Sequence, residues 1–244
     1  MIPATKAELA KCIDHTFLSA TTSEQDVRRV CAEAERYGFW SVCVLPRWTS
    51  HAADILHGKD VKVDGVVGFP FGADSSKIKA AQAEDVIMAG AEEVDMVADL
   101  AAIIAGDRKY FAGELKGVLK VCRSMPPEVP LKVIIESAAL TDEQKIFACR
   151  VAQDAGVAFI KTSTGLNPSG GATVEDVKLM ARTAPRCRIK AAGGIRTAQA
   201  ALDMIEAGAS RIGTSASVQI IEEFDGEAYR LHLRDRKTPG TTGG

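Results

Sequence analysis

Ala155-Gly156-Val157-Ala158-Phe159-Ile160-Lys161-Thr162-Ser163 holds a helix end, a glycine and a short apolar strand in nine residues. Upstream, Thr141-Asp142-Glu143-Gln144 has capping-box spacing and opens a helical pattern over 143–155. Glycine just past a helix end supplies the left-handed backbone that this position often needs. The same step recurs at Tyr37-Gly38 before WSVCVLP (40–46), Ala89-Gly90 before EVDMVA (93–98) and Ala207-Gly208 before RIGTS (211–215). Further strands read at 62–69, 131–136 and 188–192, with a short one at 12–15.

Helical patterns fill the intervals: 25–37, 48–56, 75–89, 110–123, 143–155, 174–184, 198–207 and 216–223. Thr22 with Gln25 and Thr173 with Asp176 have the spacing of further capping boxes. Strands that alternate with helices predict a parallel sheet, and eight such units in 244 residues predict the α/β class and a TIM (β/α)8 barrel. No linker divides the chain, so a single barrel domain is expected over 1–233. The polar, glycine-ended tail 234–244 reads as disordered or cloning-derived.

Composition narrows the function. The chain is 46% hydrophobic and 25% charged with a net charge of −2, enough apolar material for a core and no excess of cations to recruit nucleic acid or an acidic membrane. Residues 1–9 lack a signal pattern, and no uncharged stretch is long enough for a bilayer span. Six scattered cysteines without a C-x-x-C pair indicate reduced thiols and a cytoplasmic protein. The four histidines form no close ligand pair, so no metal site is expected.

Five residues on from each repeat glycine lie Cys43, Asp95, Lys161 and Gly213, on the second, fourth, sixth and eighth strands. Alternate strands of a barrel fill one interior layer, so these four are expected at one height. Strand alternation turns Asp95 and Lys161 inward, and Val94, Met96 and Ile160 toward the helices. A lone strand lysine is as readily a buried ion-pair partner as a nucleophile. Lys190 shifts the balance: it ends the next strand, about 4.8 Å away, just before Gly193-Gly194. Two ammonium groups so close, both desolvated, favour a neutral amine, the form that attacks a carbonyl.

Asp95 reads either as their counter-charge or as a carrier of protons between catalytic steps. Asp14, inward on the first strand, reads equally as catalytic or as support, and Cys43 reads as a small core residue. Gly193, Gly194 and the Gly213-Thr214-Ser215 turn follow the last two strands, where barrel enzymes commonly hold phosphate. Thr162 and Gly165 in the hydroxyl-rich turn after Lys161, together with Arg196, complete the candidate set.

Taken together, IDHT (13–16), VCVLP (42–46), VVGFPFG (66–72), EVDMV (93–97), KVIIE (132–136), FIKTSTG (159–165), KAAGGIR (190–196) and RIGTS (211–215) resemble the deoxyribose-phosphate aldolase family over about residues 9–220. The resemblance implies a TIM barrel without metal or organic cofactor. It implies reversible cleavage of 2-deoxy-D-ribose 5-phosphate to acetaldehyde and D-glyceraldehyde 3-phosphate. Lys161 would form the Schiff base, Lys190 would lower its pKa, Asp95 would help move protons, and Gly193, Gly194 and 213–215 would hold phosphate. The expected partners are a small aldehyde and a sugar phosphate, with a homodimer or homotetramer and neither nucleic acid nor membrane.

Three positions depart from the family pattern. Asp99 stands where many members have asparagine, and Ser217 stands where glycine is common; both are expected to modify the phosphate pocket. Some members end in a tyrosine that reaches the site, whereas the last tyrosine here is Tyr229. Two rivals accompany this reading. One is a Schiff-base barrel aldolase for another sugar phosphate or a non-phosphorylated aldehyde; the other is a non-catalytic sugar-phosphate-binding barrel.

Overall fold

The computed structural model describes residues 2–124 and 126–226. Eight strands, β1 (Ile13–Phe17), β2 (Ser41–Val44), β3 (Lys62–Val67), β4 (Glu93–Val97), β5 (Leu131–Ile134), β6 (Phe159–Lys161), β7 (Arg188–Ala192) and β8 (Ala209–Thr214), close in chain order into a parallel barrel. Around it run α1 (Lys6–Ala10), α2 (Glu24–Tyr37), α3 (Thr49–Leu56), α4 (Ser76–Met88), α5 (Leu100–Ile104), α6 (Arg108–Ser124), α7 (Asp142–Ala155), α8 (Val174–Thr183), α9 (Ala198–Glu206) and α10 (Ser217–Glu223). The expected (β/α)8 barrel is the fold. The tail 234–244 and Tyr229 lie outside the described residues.

The punctuation works as expected at the four repeat glycines. Gly38 and Gly156 cap α2 and α7 with φ of 70° and 87°, and Gly90 and Gly208 also have positive φ. One start moves. Ser23, not Thr22, caps α2, accepting from Asp26 N while Asp26 returns a bond to Ser23 N at 2.9 Å. Thr22 donates its hydroxyl to Ser19 O at 2.6 Å instead. Two overlapping frames fit the capping-box spacing, and only the turn geometry separates them. Helices α1 and α5 were not read from the sequence, because five residues are too few to show a helical period.

Outward side chains such as Val42, Val94, Met96, Val133, Ile160 and Ile212 form one apolar layer with the buried faces of the helices. The barrel interior is different. From the strand registers, Ser41, Glu93, Phe159 and Arg211 form its lowest layer and Asp14, Asp64, Lys132 and Lys190 the next. Cys43, Asp95, Lys161 and Gly213 form the third layer, and Thr16, Val66, Ile134 and Ala192 lie above it at the mouth. Even and odd strands thus alternate by layer, and the four positions counted from the glycines do share a height. Branched aliphatics usually fill such layers; here charges dominate the lower three.

Candidate active site

The charges pair off completely. Asp95 Oδ2 lies 2.6 Å from Lys161 Nζ and 2.7 Å from Lys190 Nζ, so one carboxylate oxygen serves two ammonium groups. Lys190 also reaches Asp14 at 2.6 Å and Asp64 at 3.0 Å. Lys132 sits among Asp64, Glu93 and Asp95 at 3.0, 2.8 and 2.8 Å. Arg211 pairs with Asp14 at 2.7 Å and Glu93 at 3.1 Å, its guanidinium over the rings of Trp40 and Phe159. Four carboxylates therefore meet four cations, all buried, which is the arrangement that makes burial of so many charges tolerable. Oxygens of Asp14, Asp64 and Glu93, and of Asp64 and Asp95 beside the Cys43 thiol, come close enough for a cation. The ammonium groups of Lys132 and Lys190 already supply that charge.

The network divides the acids by environment. Burial opposes charge on Asp95, but Lys132, Lys161 and Lys190 outweigh it and hold the carboxyl well below the usual range. Asp14 is depressed in the same way, burial being overcome by Lys190 and Arg211. Asp64 goes the other way: burial and the Asp95 charge push it up to about 6, against Lys132 and Lys190. Burial would lower Lys190 as well, yet Asp14, Asp64 and Asp95 raise it well above the ordinary lysine value. Lys190 is a standing cation beside Lys161.

Lys161 closes the floor of a cleft of about 410 Å³ at the carboxyl ends of the strands. Its walls include Phe17, Thr164, Gly165 and Leu166, then Gly193, Gly194 and Arg196, then Gly213, Thr214 and Ser215. The turns after β6 and β7 touch through backbone: Ala172 N donates to Gly193 O at 3.1 Å, and a Cβ on Gly171 would lie 2.2 Å from that oxygen. Gly193 itself has φ of 91°. Thr214 Oγ1 donates to Ile195 O at 2.6 Å, tying the β7 and β8 turns together.

The sequence profile of the DeoC/LacD family of aldolases matches residues 9–221. The deoxyribose-phosphate aldolase of Caldicellulosiruptor saccharolyticus is 46% identical over 220 residues, 90% of this chain and 99% of that one. That of Carboxydothermus hydrogenoformans is 46% identical over 231 residues, 94% of this chain and 100% of that one. The chain belongs to the DeoC/LacD family of aldolases. Among solved structures, the tetrameric deoxyribose-phosphate aldolase from Aeropyrum pernix superposes with a TM-score of 0.84 at 32% identity, covering 90% of this chain and 92% of that one.

In this aldolase the structure brings together Lys161, Lys190 and Asp95, as the strand pattern anticipated. Asp14 contacts Lys190, Arg211 and Ser41, and its ion pairs do not include Lys161. Thr162 turns away from the cleft and spans to β7, donating to Ala192 O and accepting from Ala192 N, both at 3.0 Å. Gly213 has a second reason to lack a side chain: a Cβ there would meet Lys190 Cε and Ala192 Cβ at 3.1 Å. Arg196 and Ser215 are exposed at the cleft wall.

Two expected modifiers of the phosphate pocket lie elsewhere. Asp99 caps α5, accepting from Ala102 N at 2.9 Å, and is not among the cleft walls. Ser217 is buried beneath the β8 turn, donating to Thr214 O at 3.0 Å and 2.9 Å from His15 Nδ1. Asp64, Glu93, Lys132 and Arg211 went unread, although each alternates inward on its strand and that period was available. Glu136 went unread for a different reason, because its role depends on backbone geometry. It has φ of 54°, the one left-handed non-glycine among the described residues, at a cost of about 1–2 kcal/mol. Its carboxylate accepts from Thr164 N at 3.0 Å and Thr164 Oγ1 at 2.7 Å.

Among the described residues, no helix is long and apolar enough to cross a membrane.

Proposed function

We propose that this aldolase cleaves 2-deoxy-D-ribose 5-phosphate reversibly to acetaldehyde and D-glyceraldehyde 3-phosphate through a Schiff base on Lys161. The observation that carries the reading is the shared oxygen: Asp95 Oδ2 bonds Lys161 at 2.6 Å and Lys190 at 2.7 Å at the foot of the cleft. In the synthetic direction the Lys161 amine attacks acetaldehyde, and the proton shed by its nitrogen passes to the new oxygen to give a carbinolamine. Loss of the hydroxyl as water leaves an iminium, an electron sink for the adjacent C–H bond. Removal of a methyl proton gives the enamine, whose carbon bonds to the aldehyde carbon of glyceraldehyde 3-phosphate while the aldehyde oxygen takes up a proton. Water then cleaves the new iminium and restores the amine.

Asp95 exchanges protons in these steps, and Lys190 supplies fixed positive charge against return of a proton to Lys161. The phosphate sits against Gly165, Gly193, Gly194, Gly213, Thr214 and Ser215, with Arg196 at the rim; backbone N–H groups and an exposed guanidinium suit an anion. The relatives named above support the substrate, and the tetrameric relative supports a homodimer or homotetramer. Six unpaired cysteines support a cytoplasmic protein.

The test is borohydride reduction in the presence of acetaldehyde, followed by peptide mass spectrometry. The adduct is expected on Lys161, and Lys161→Ala should abolish both adduct and turnover. An adduct on another lysine, or none in protein that turns over substrate, overturns the assignment. A panel of donor aldehydes and ketones then separates acetaldehyde from longer donors.

A further inference from the structure

His15 and Ser217 take no part in the steps above, yet both are buried behind the β8 turn that borders the cleft. Ser217 Oγ donates to Thr214 O at 3.0 Å and lies 2.9 Å from His15 Nδ1. On the other side of the ring, His15 Nε2 lies 2.8 Å from Glu33 Oε2. The held carbonyl matters because the Thr214–Ser215 peptide is planar. A bond that fixes its carbonyl also fixes its N–H, on the opposite edge of the plane. Thr214 and Ser215 are both walls of the cleft.

The direction of each bond follows from the protons available. Ser217 has one hydroxyl proton, and it is committed to the Thr214 carbonyl. His15 Nδ1 must then be the donor toward Ser217 Oγ. An ionised Glu33 only accepts, so Nε2 must donate as well. The complete set of bonds therefore needs the imidazolium. When the ring loses a proton it keeps the one on Nε2, because that bond to the carboxylate is charge-assisted. Nδ1 becomes an acceptor, the Ser217 hydroxyl turns to it, and the Thr214 carbonyl is released.

We infer that Ser217 and His15 are positioning residues for the phosphate: aimed by His15, the Ser217 hydroxyl fixes the Thr214–Ser215 peptide so that its N–H meets the anion. The inference rests on the phosphate reading of this turn, and it adds the groups behind the wall that control it. The charged groups acting on the ring are Glu33 and Arg29, both from α2; α10 brings the Ser217 hydroxyl, and the Phe39 ring packs 5.2 Å away. Burial keeps the imidazole below the ordinary histidine value, against the pull of Glu33. The hold on the turn is thus complete in acid and is lost as pH rises through that lowered value.

The readout is the ratio of kcat/KM for D-glyceraldehyde 3-phosphate to that for D-glyceraldehyde, with acetaldehyde as donor, across roughly pH 5 to 8. His15→Leu removes the ring nitrogen as an alternative acceptor, so the Ser217 hydroxyl should hold the turn at every pH. Ser217→Ala releases the turn at every pH. The ratio in His15→Leu is expected to exceed that in Ser217→Ala by about fivefold. The wild type should leave the former and approach the latter as pH rises. Ionisation of the substrate phosphate acts on all three proteins alike and cancels in the comparison. In the Ser217→Ala background His15→Leu should change the ratio no further.

Equal ratios in the two variants, or a wild type that matches His15→Leu throughout, overturns the proposal. Should His15→Leu not fold, a ratio in Ser217→Ala equal to that of the wild type at the acid end overturns it as well. The wild type by itself separates the two layers of argument. No preference for the phosphorylated aldehyde at any pH sinks the phosphate reading and this inference with it. A clear preference that is the same in both variants sinks this inference alone.

Discussion

Replacing Lys190 by methionine removes one cation while keeping an unbranched apolar stem of similar reach. Lys161 and Lys190 each bond Asp95 Oδ2, at 2.6 and 2.7 Å, so their nitrogens are at most roughly 5 Å apart. At an effective dielectric constant of about 20, two unit charges at that distance repel by about 3 kcal/mol. That repulsion is absent from the variant. The variant also leaves Asp14, Asp64 and Asp95 without the cation that bridges them. The expected outcome is that trapping of acetaldehyde on Lys161 requires a higher pH than in the wild type. Trapping should be followed by intact mass from pH 5 to 10. The measurement belongs below the variant's unfolding transition, because breaking a buried ion pair costs about 3–5 kcal/mol. A folded variant with the wild-type pH profile would refute the electrostatic role of Lys190.

Lys132→Met strips the cation from Asp64, Glu93 and Asp95, and should lower stability by about 3–5 kcal/mol in a denaturant titration. Asp64 gives a pH signature. Its folded value of about 6 lies above the unfolded 3.8, so the stability it contributes is complete below the unfolded value and is lost as pH rises through 6. Asp64→Asn, which cannot ionise, should therefore gain on the wild type by about 3 kcal/mol between pH 3.5 and 7. A parallel pH dependence in the two proteins would contradict this. Gly171→Ala drives a methyl against Gly193 O and should raise KM for the phosphorylated substrate more than for an unphosphorylated aldehyde. Equal effects on the two substrates would detach the Gly193 turn from phosphate.

Much of this protein was legible as a string because its signals are local. A glycine past a helix end, a capping residue and a two-residue alternation are each set by a few neighbouring residues. Repeated four times, they determined the strands, the barrel and the common height of Cys43, Asp95, Lys161 and Gly213. The overlapping caps at Thr22 and Ser23 mark the resolution of such signals, about one residue. The interior charge network was decided by tertiary structure, since Asp14, Asp64, Glu93, Lys132 and Arg211 meet only when the barrel closes and its register fixes which layer each enters. The same closure moved Asp99 and Ser217 away from the cleft walls into a helix cap and a buried strut. Glu136 is the extreme case. Nothing in KVIIE announces a left-handed glutamate, because the conformation is imposed by bonds from its neighbours to Lys161 O and Thr162 O on another strand. Local chemistry determined where the nucleophile lies; only chain closure decided which charges and which hydroxyl surround it.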